Sequence, residues 1–165
     1  MAGMRRRPGR LVALGAAALV IAADQISKDW AQANLAINQR ITVIPGWLSF
    51  QRTENSGAAF SFLTGHNELF ILITAALLVL VGFLILGGLA PDRLTVVALG
   101  LILGGGLSNL FDRVRLSAVV DFVRFAFWPT IFNLADLAIR AGAVVVVLAV
   151  LLRQTRRGHL DRPVR

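Results

Sequence analysis

The chain has no cysteine and only two histidines in 165 residues. Without cysteine there are no disulfides, no thiolate metal sites and no cysteine nucleophile. His66 falls in an expected loop and His159 in the terminal tail. Two histidines so placed are too few for a histidine-based triad or a zinc site, and both read as solvated residues. No internal repeat of 20 to 50 residues is apparent, so neither a repeat architecture nor an inverted-repeat transporter gains support. Lysine occurs once, at Lys28; the other basic residues are arginines.

Apolar sequence is abundant: 56% of residues are hydrophobic and the mean hydropathy is +0.72, values that belong to an integral membrane protein rather than a soluble core. Apolar runs predict spans at 11–31, 68–89, 94–112 and 130–152, each near the roughly 20 residues a bilayer requires. The expected fold is mainly α, a four-transmembrane-helix bundle in one domain over 1–165. A small external β-element at about 41–62, between helices 1 and 2, is marked by β-formers and the Pro45-Gly46 turn signal. Most of the basic excess lies in two tails, Arg5, Arg6, Arg7 and Arg10, then Arg153, Arg156, Arg157, Arg162 and Arg165. The positive-inside rule puts both tails in the cytoplasm. A basic start followed by an apolar run and Ala22-Ala23 also resembles a cleavable secretory signal, which a mature start near Asp24 would establish. Trp30, Trp47 and Trp128 fall at predicted outer boundaries and read as interfacial anchors.

Carboxylates in apolar surroundings are costly, and Asp121, in Val119-Val120-Asp121-Phe122-Val123, and Asp136, in Phe132-Asn133-Leu134-Ala135-Asp136, point to function. At about 1.5 Å per residue, Asp24 and Lys28 lie roughly 20 and 26 Å along the first helix, and Asn109 and Asp112 about 22 and 27 Å along the third. Asp136 is some 9 Å inward along the descending fourth helix, so these groups share one depth near the outer face. Asp121 is expected in the adjacent outer loop. Asp24 with Lys28 (i,i+4) and Asn133 with Asp136 (i,i+3) each share a helix face. The Asp24–Lys28 pair reads either as a local ion pair or as a positioning device, Asn109 either as interhelical glue or as a site residue, and Gly104-Gly105-Gly106 as a close-packing surface. Two carboxylates held close resist double ionisation, so one can act as base toward water while the other polarises a carbonyl and protonates a leaving amine. A proton pathway uses the same residue types; the alternative is a small proton-coupled transporter or channel.

Four blocks make the reading specific. They are Asp24-Gln25-Ile26-Ser27-Lys28; Asn55-Ser56-Gly57-Ala58-Ala59-Phe60-Ser61; Gly104 to Arg113 running on to Val119-Val120-Asp121-Phe122; and Phe132-Asn133-Leu134-Ala135-Asp136. In order and spacing they resemble the bacterial lipoprotein signal peptidases, the type II signal peptidases. The resemblance implies an aspartic endopeptidase that removes the signal peptide from diacylglyceryl-modified prolipoproteins, cutting before the lipidated cysteine. Asp121 and Asp136 match its catalytic pair. Asp24, Lys28, Asn55, Gly57, Asn109, Asp112, Arg113 and Asn133 match positions that shape the site and hold substrate. Arg113, with its planar fork of donors, is the candidate for substrate backbone or lipid phosphate, against a simpler pairing with Asp112. No cofactor, metal or nucleic acid is implied; the partners are the prolipoprotein substrate and membrane lipid, and a monomer in the bacterial inner membrane is expected, with the site near the outer leaflet.

Ser108 and Ser117 depart from the family's frequent glycines and bear on loop geometry. Arg140, i+4 from Asp136 and near mid-bilayer, needs a partner or water; the expectation is that it favours charge on Asp136, making that residue the base. The external β-element and the Asn55 to Ser61 segment are expected to cover the substrate as a lid.

Overall fold

The computed structural model describes residues 7–57 and 66–160, with side chains for 9–57 and 66–154. The outermost parts of both basic tails, and Ala58, Ala59, Phe60 and Ser61 of the second motif block, lie outside the described residues, and with them the end of the expected lid. The elements run α1 (Arg7–Asn34), β1 (Arg40–Ile44), β2 (Leu48–Asn55), α2 (Asn67–Leu86), α3 (Arg93–Leu116), β3 (Val119–Phe125) and α4 (Leu134–Leu160). All four helices are long and apolar enough to cross a membrane. α1 passes through Ala22-Ala23 without a break. α2 exposes Leu72, Val79, Leu80 and Phe83 on one side and buries Val81 and Ile85 on the other, as suits a helix with one face toward lipid.

α3 is the central helix, and its glycines explain why. Gly104, Gly105 and Gly106 are consecutive, about 100° apart around the axis, so each faces a different neighbour. A Cβ on Gly104 would stand 2.6 Å from the Ala17 carbonyl oxygen of α1, and one on Gly105 2.5 Å from that of Ala135 in α4. On Gly106 it would meet Leu78 of α2 at 2.8 Å. α1 and α4 therefore approach α3 to backbone range, the mode of association that small residues permit in lipid, while α2 packs a leucine side chain onto Gly106. The close-packing reading of the triplet is the one the structure bears out. At the other end of α3, Asp92 caps the helix by accepting from the Thr95 N–H at 2.8 Å and pairs with Arg153 of α4 at 2.6 Å.

The sheet is larger than the sequence reading. β1 and β2 form the expected antiparallel hairpin, joined by a turn in which Gly46 has φ 73° and Trp47 N–H donates to Ile44 C=O at 3.0 Å. Proline before a positive-φ glycine is type II turn chemistry. The third strand, β3, comes from the connection between α3 and α4 and pairs antiparallel with β2, giving the order β1-β2-β3. Asp121 thus lies in a buried strand, opposite Thr53, rather than in a loop. Its neighbours Val119, Val120, Phe122 and Val123 are buried too, so the run alternates no more than a strand covered on both faces does. Phe122, Phe132, Ala31 and Leu35 form the core beneath the sheet, with Trp30 edge-on to Phe50 at 5.3 Å and to Phe122 at 6.4 Å. α4 begins at Leu134, later than the predicted 130, because Asn133 caps it by accepting from the Asp136 N–H at 2.8 Å.

Candidate active site

α1 supplies the floor. Lys28 Nζ is only 1% exposed and meets Asp24 Oδ2 at 2.6 Å, Asp112 Oδ2 at 2.8 Å and Asn109 Oδ1 at 2.8 Å. Three acceptors use all three ammonium donors. Asp24 also accepts from Ser108 Oγ at 2.7 Å and, across 111 residues of sequence, from the Ala135 N–H in the first turn of α4 at 2.8 Å. Its charge sits where that helix leaves unpaired donors. Asp112 accepts from Gln25 Nε2 at 2.9 Å and from the Val120 N–H of β3 at 3.2 Å. One buried network therefore locks α1, α3, α4 and β3 together. Asp24 and Lys28 form the expected i,i+4 ion pair, and their partners on α3 and α4 tie it to the helices that carry the site.

Above this floor two asparagines orient the carboxylates. Asn109 turns its oxygen to Lys28, so its amide nitrogen faces Asp136 and donates to Oδ1 at 2.9 Å. Asn133 donates to Asp121 Oδ1 at 2.7 Å and to Asn109 Oδ1 at 3.2 Å, while its own oxygen receives the Asp136 N–H. Asn55 of β2 donates to the second Asp121 oxygen at 3.2 Å. Asp136 Oδ2 is left facing Arg140, whose Nη2 stands 3.8 Å away and whose guanidinium lies over Phe132 and Trp128 at 5.4 and 5.7 Å from the ring centroids.

Arg113 is not paired with Asp112, which Lys28 takes instead. It donates to Gly57 C=O at 2.9 Å and Asn67 Oδ1 at 3.2 Å and rests 4.7 Å from the Phe70 ring centroid. Gly57 N–H in turn donates to Asn55 Oδ1 at 3.0 Å. Arg113 therefore holds the end of β2, and through it Asn55, against Asp121.

The two aspartates open on a cavity of about 590 Å³ between the helices and the sheet, and Asn55, Gly57, Asn109 and Arg113 line it with them. Asp24, Lys28, Asp112 and Asn133 are not in its wall; they are buried behind it, held by protein partners. Gln25, Ser108 and Asn67 lie outside the expected site residues, yet each bonds one of them, Asp112, Asp24 and Arg113 respectively. A signal exists for Ser108, one turn before Asp112 on the same face and at the depth of Asn109, but a small polar residue near a glycine run reads equally as helix packing. Ser117, at φ 59°, ends α3 in the left-handed region, which is why glycine suits that position. His66 is exposed, and among the described residues no group of histidine, cysteine and carboxylate ligands is placed to hold a metal.

Asp121 is only 2% exposed. Burial, then the nearby Asp136 charge, push its carboxyl up to about 7, against the lowering effect of the Asn55 and Asn133 hydrogen bonds and of Lys28. Near neutral pH the pair can therefore hold one proton, supplying an acid and a base in the same cavity.

The chain is similar to known proteins over most of its length. The profile of a peptidase family described as signal peptidase (SPase) II matches residues 16–152. A lipoprotein signal peptidase of Moorella thermoacetica is 40% identical over 147 residues, covering 87% of this chain and 95% of its own. Another, from Latilactobacillus sakei, is 36% identical over 138 residues, covering 82% and 91%. A bacterial membrane enzyme solved by the in meso method superposes with a TM-score of 0.84 at 27% identity, over 93% of this chain and 94% of that one. A second gives 0.77 at 29%, over 84% and 92%. The four spanning helices, the small sheet and the profile match across most of the sequence together mean that the chain belongs to the signal peptidase II family of membrane proteases.

Proposed function

We propose that the chain removes the signal peptide from diacylglyceryl-modified prolipoproteins, cutting before the lipidated cysteine, with Asp121 and Asp136 as an acid–base dyad acting on water. The observation that carries this reading is two carboxylates, Asp121 buried and Asp136 a quarter exposed, joined through Asn109 and Asn133 and facing one cavity open between helices and sheet. Asp136 carries the dyad's negative charge, beside Arg140, and takes a proton from the attacking water. Asp121 is protonated and donates a hydrogen bond to the scissile carbonyl as the oxygen gains charge. When the tetrahedral intermediate collapses, the C–N bond breaks and the new amine takes its proton from Asp121. The proton held by Asp136 then returns to Asp121. One water is consumed and no covalent intermediate forms.

Both tails face the cytoplasm and the dyad lies near the outer leaflet. The arginine-rich ends of α1 and α4 support that direction. At this depth the acyl chains of the substrate stay in lipid while the scissile bond reaches the cavity. Asn55, Asn109, Asn133 and Arg113 keep the carboxylates and the end of β2 in place; Asp24, Lys28 and Asp112 brace them from behind.

The test is cleavage of a diacylglyceryl-modified prolipoprotein by the purified chain in detergent. Wild type is active, and Asp121→Asn and Asp136→Asn each lose about a thousandfold or more. Near-normal turnover by either variant refutes the dyad. Arg140→Leu moves the acidic limb of the pH profile upward, since the dyad's negative charge loses its neighbour; an unmoved limb removes Arg140 from the mechanism.

A further inference from the structure

Toward the helices the cavity is lined by Thr74, Gly106 and Ile139 besides Arg113 and Arg140, and toward the sheet by Thr53, Glu54 and Arg124. The signal segment and acyl chains of a substrate must lie among the helices and lipid. The polypeptide beyond the cut, being soluble, leaves over the sheet.

Arg124 lies on β3 with its side chain tied to a neutral partner, Gln51 Oε1, at 2.8 Å. Its strand neighbour across the ladder is Ser49 of β2, and the Ser49 hydroxyl accepts from Arg40 Nε of β1 at 3.1 Å. Two arginines from the outer strands thus straddle β2, on strands about 10 Å apart. Among the described residues neither has a carboxylate within salt-bridge distance, whereas Glu54, the acidic residue of that wall, is already paired with Arg52 at 2.7 Å. The sheet side of the cavity therefore carries Arg124 without a carboxylate partner, and Arg40 lies beyond the lining on β1.

We propose that Arg124, extended by Arg40, forms a subsite for acidic residues just after the lipidated cysteine, so that this chain prefers substrates whose mature segment begins with aspartate or glutamate. The proposal rests on the peptidase reading of the cavity and adds to it a charge preference on the mature side. Guanidinium groups suit carboxylates through paired N–H donors.

The experiment uses diacylglyceryl-modified peptides identical up to the cysteine and carrying Asp-Glu, Ser-Ser or Lys-Lys after it, cleaved by the full-length purified chain. The ratio of kcat/KM between acidic and basic peptides is read within each variant, so a general loss of activity cancels. Wild type favours the acidic peptide about fivefold or more at low ionic strength, and the preference shrinks as salt screens it. Arg124→Gln brings the ratio close to one, Arg124→Glu inverts it, and Arg40→Glu lowers it without inversion. If Arg124→Glu is inactive, the other two variants decide. A wild-type ratio near one, or a ratio unchanged in the variants, overturns the subsite. So does an unchanged ratio accompanied by weaker binding of the variants to phosphatidylglycerol vesicles, which marks the stripe as a headgroup contact. Failure to cleave any of the peptides overturns the peptidase reading itself.

Discussion

Lys28 is the only lysine in the chain, and it is surrounded. Lys28→Met keeps an unbranched chain of similar length and removes the ammonium, leaving Asp24 and Asp112 buried around an apolar thioether. Breaking a buried ion pair by deleting one partner costs about 3–5 kcal/mol, because the remaining charge is neither solvated nor neutralised. The hydrogen bond to Asn109 is lost as well, and with it the contact that turns the Asn109 amide toward Asp136. For a domain of this size each kcal/mol moves Tm by about 2–4 °C, so a fall of roughly 6–20 °C is expected. The assay is thermal unfolding of the detergent-solubilised protein, followed by tryptophan fluorescence, with Asp24→Asn/Lys28→Met/Asp112→Asn as the control. That triple variant removes the stranded charges while keeping oxygen acceptors for the Ala135 and Val120 N–H groups, and it recovers most of the lost stability. It does not recover activity, because Asn109 remains unanchored. A Lys28→Met variant that melts within about 2 °C of wild type refutes the argument that this network braces the site.

Asp121 links the site to pH. A carboxyl raised from 3.8 to about 7 on folding binds its proton more tightly in the native state, so its contribution to stability is complete below about 4 and disappears as pH rises through 7. Asp121→Asn, which cannot ionise, therefore gains on wild type between pH 5 and pH 8, by about 3 kcal/mol at most; a pH-independent difference in Tm contradicts this. Wild-type kcat/KM falls on the alkaline side with a midpoint near 7, where the proposed acid is lost. Gly104→Ala sets a methyl against the Ala17 carbonyl and costs about 1–3 kcal/mol by parting α1 from α3, measurable as a lower Tm; no change means that the backbone yields freely there. Asn133→Ala removes the cap of α4 and the donor to Asp121 together, so both Tm and kcat fall, whereas an effect on KM alone argues against an orienting role.

The span count and the motif positions were legible because hydropathy and residue spacing are local properties. Four apolar runs predict four helices whatever packs against them, and the rise per residue brings Asp24, Lys28, Asn109 and Asp136 to one depth. What local pattern does not encode is direction around the helix axis and pairing across long stretches of chain. Three consecutive glycines suggest close approach, but only the packed bundle assigns each to a different partner and so places α3 at the centre. Val119 to Phe125 reads as a short apolar run, and its pairing with β2, far away in sequence, is what turns Asp121 from a loop residue into a buried strand residue. Asp24 and Lys28 share a helix face in any account of the sequence. Whether that face meets substrate or protein depends on Asp112, Asn109 and the start of α4 arriving beside it, and such contacts exist only once the bundle has closed.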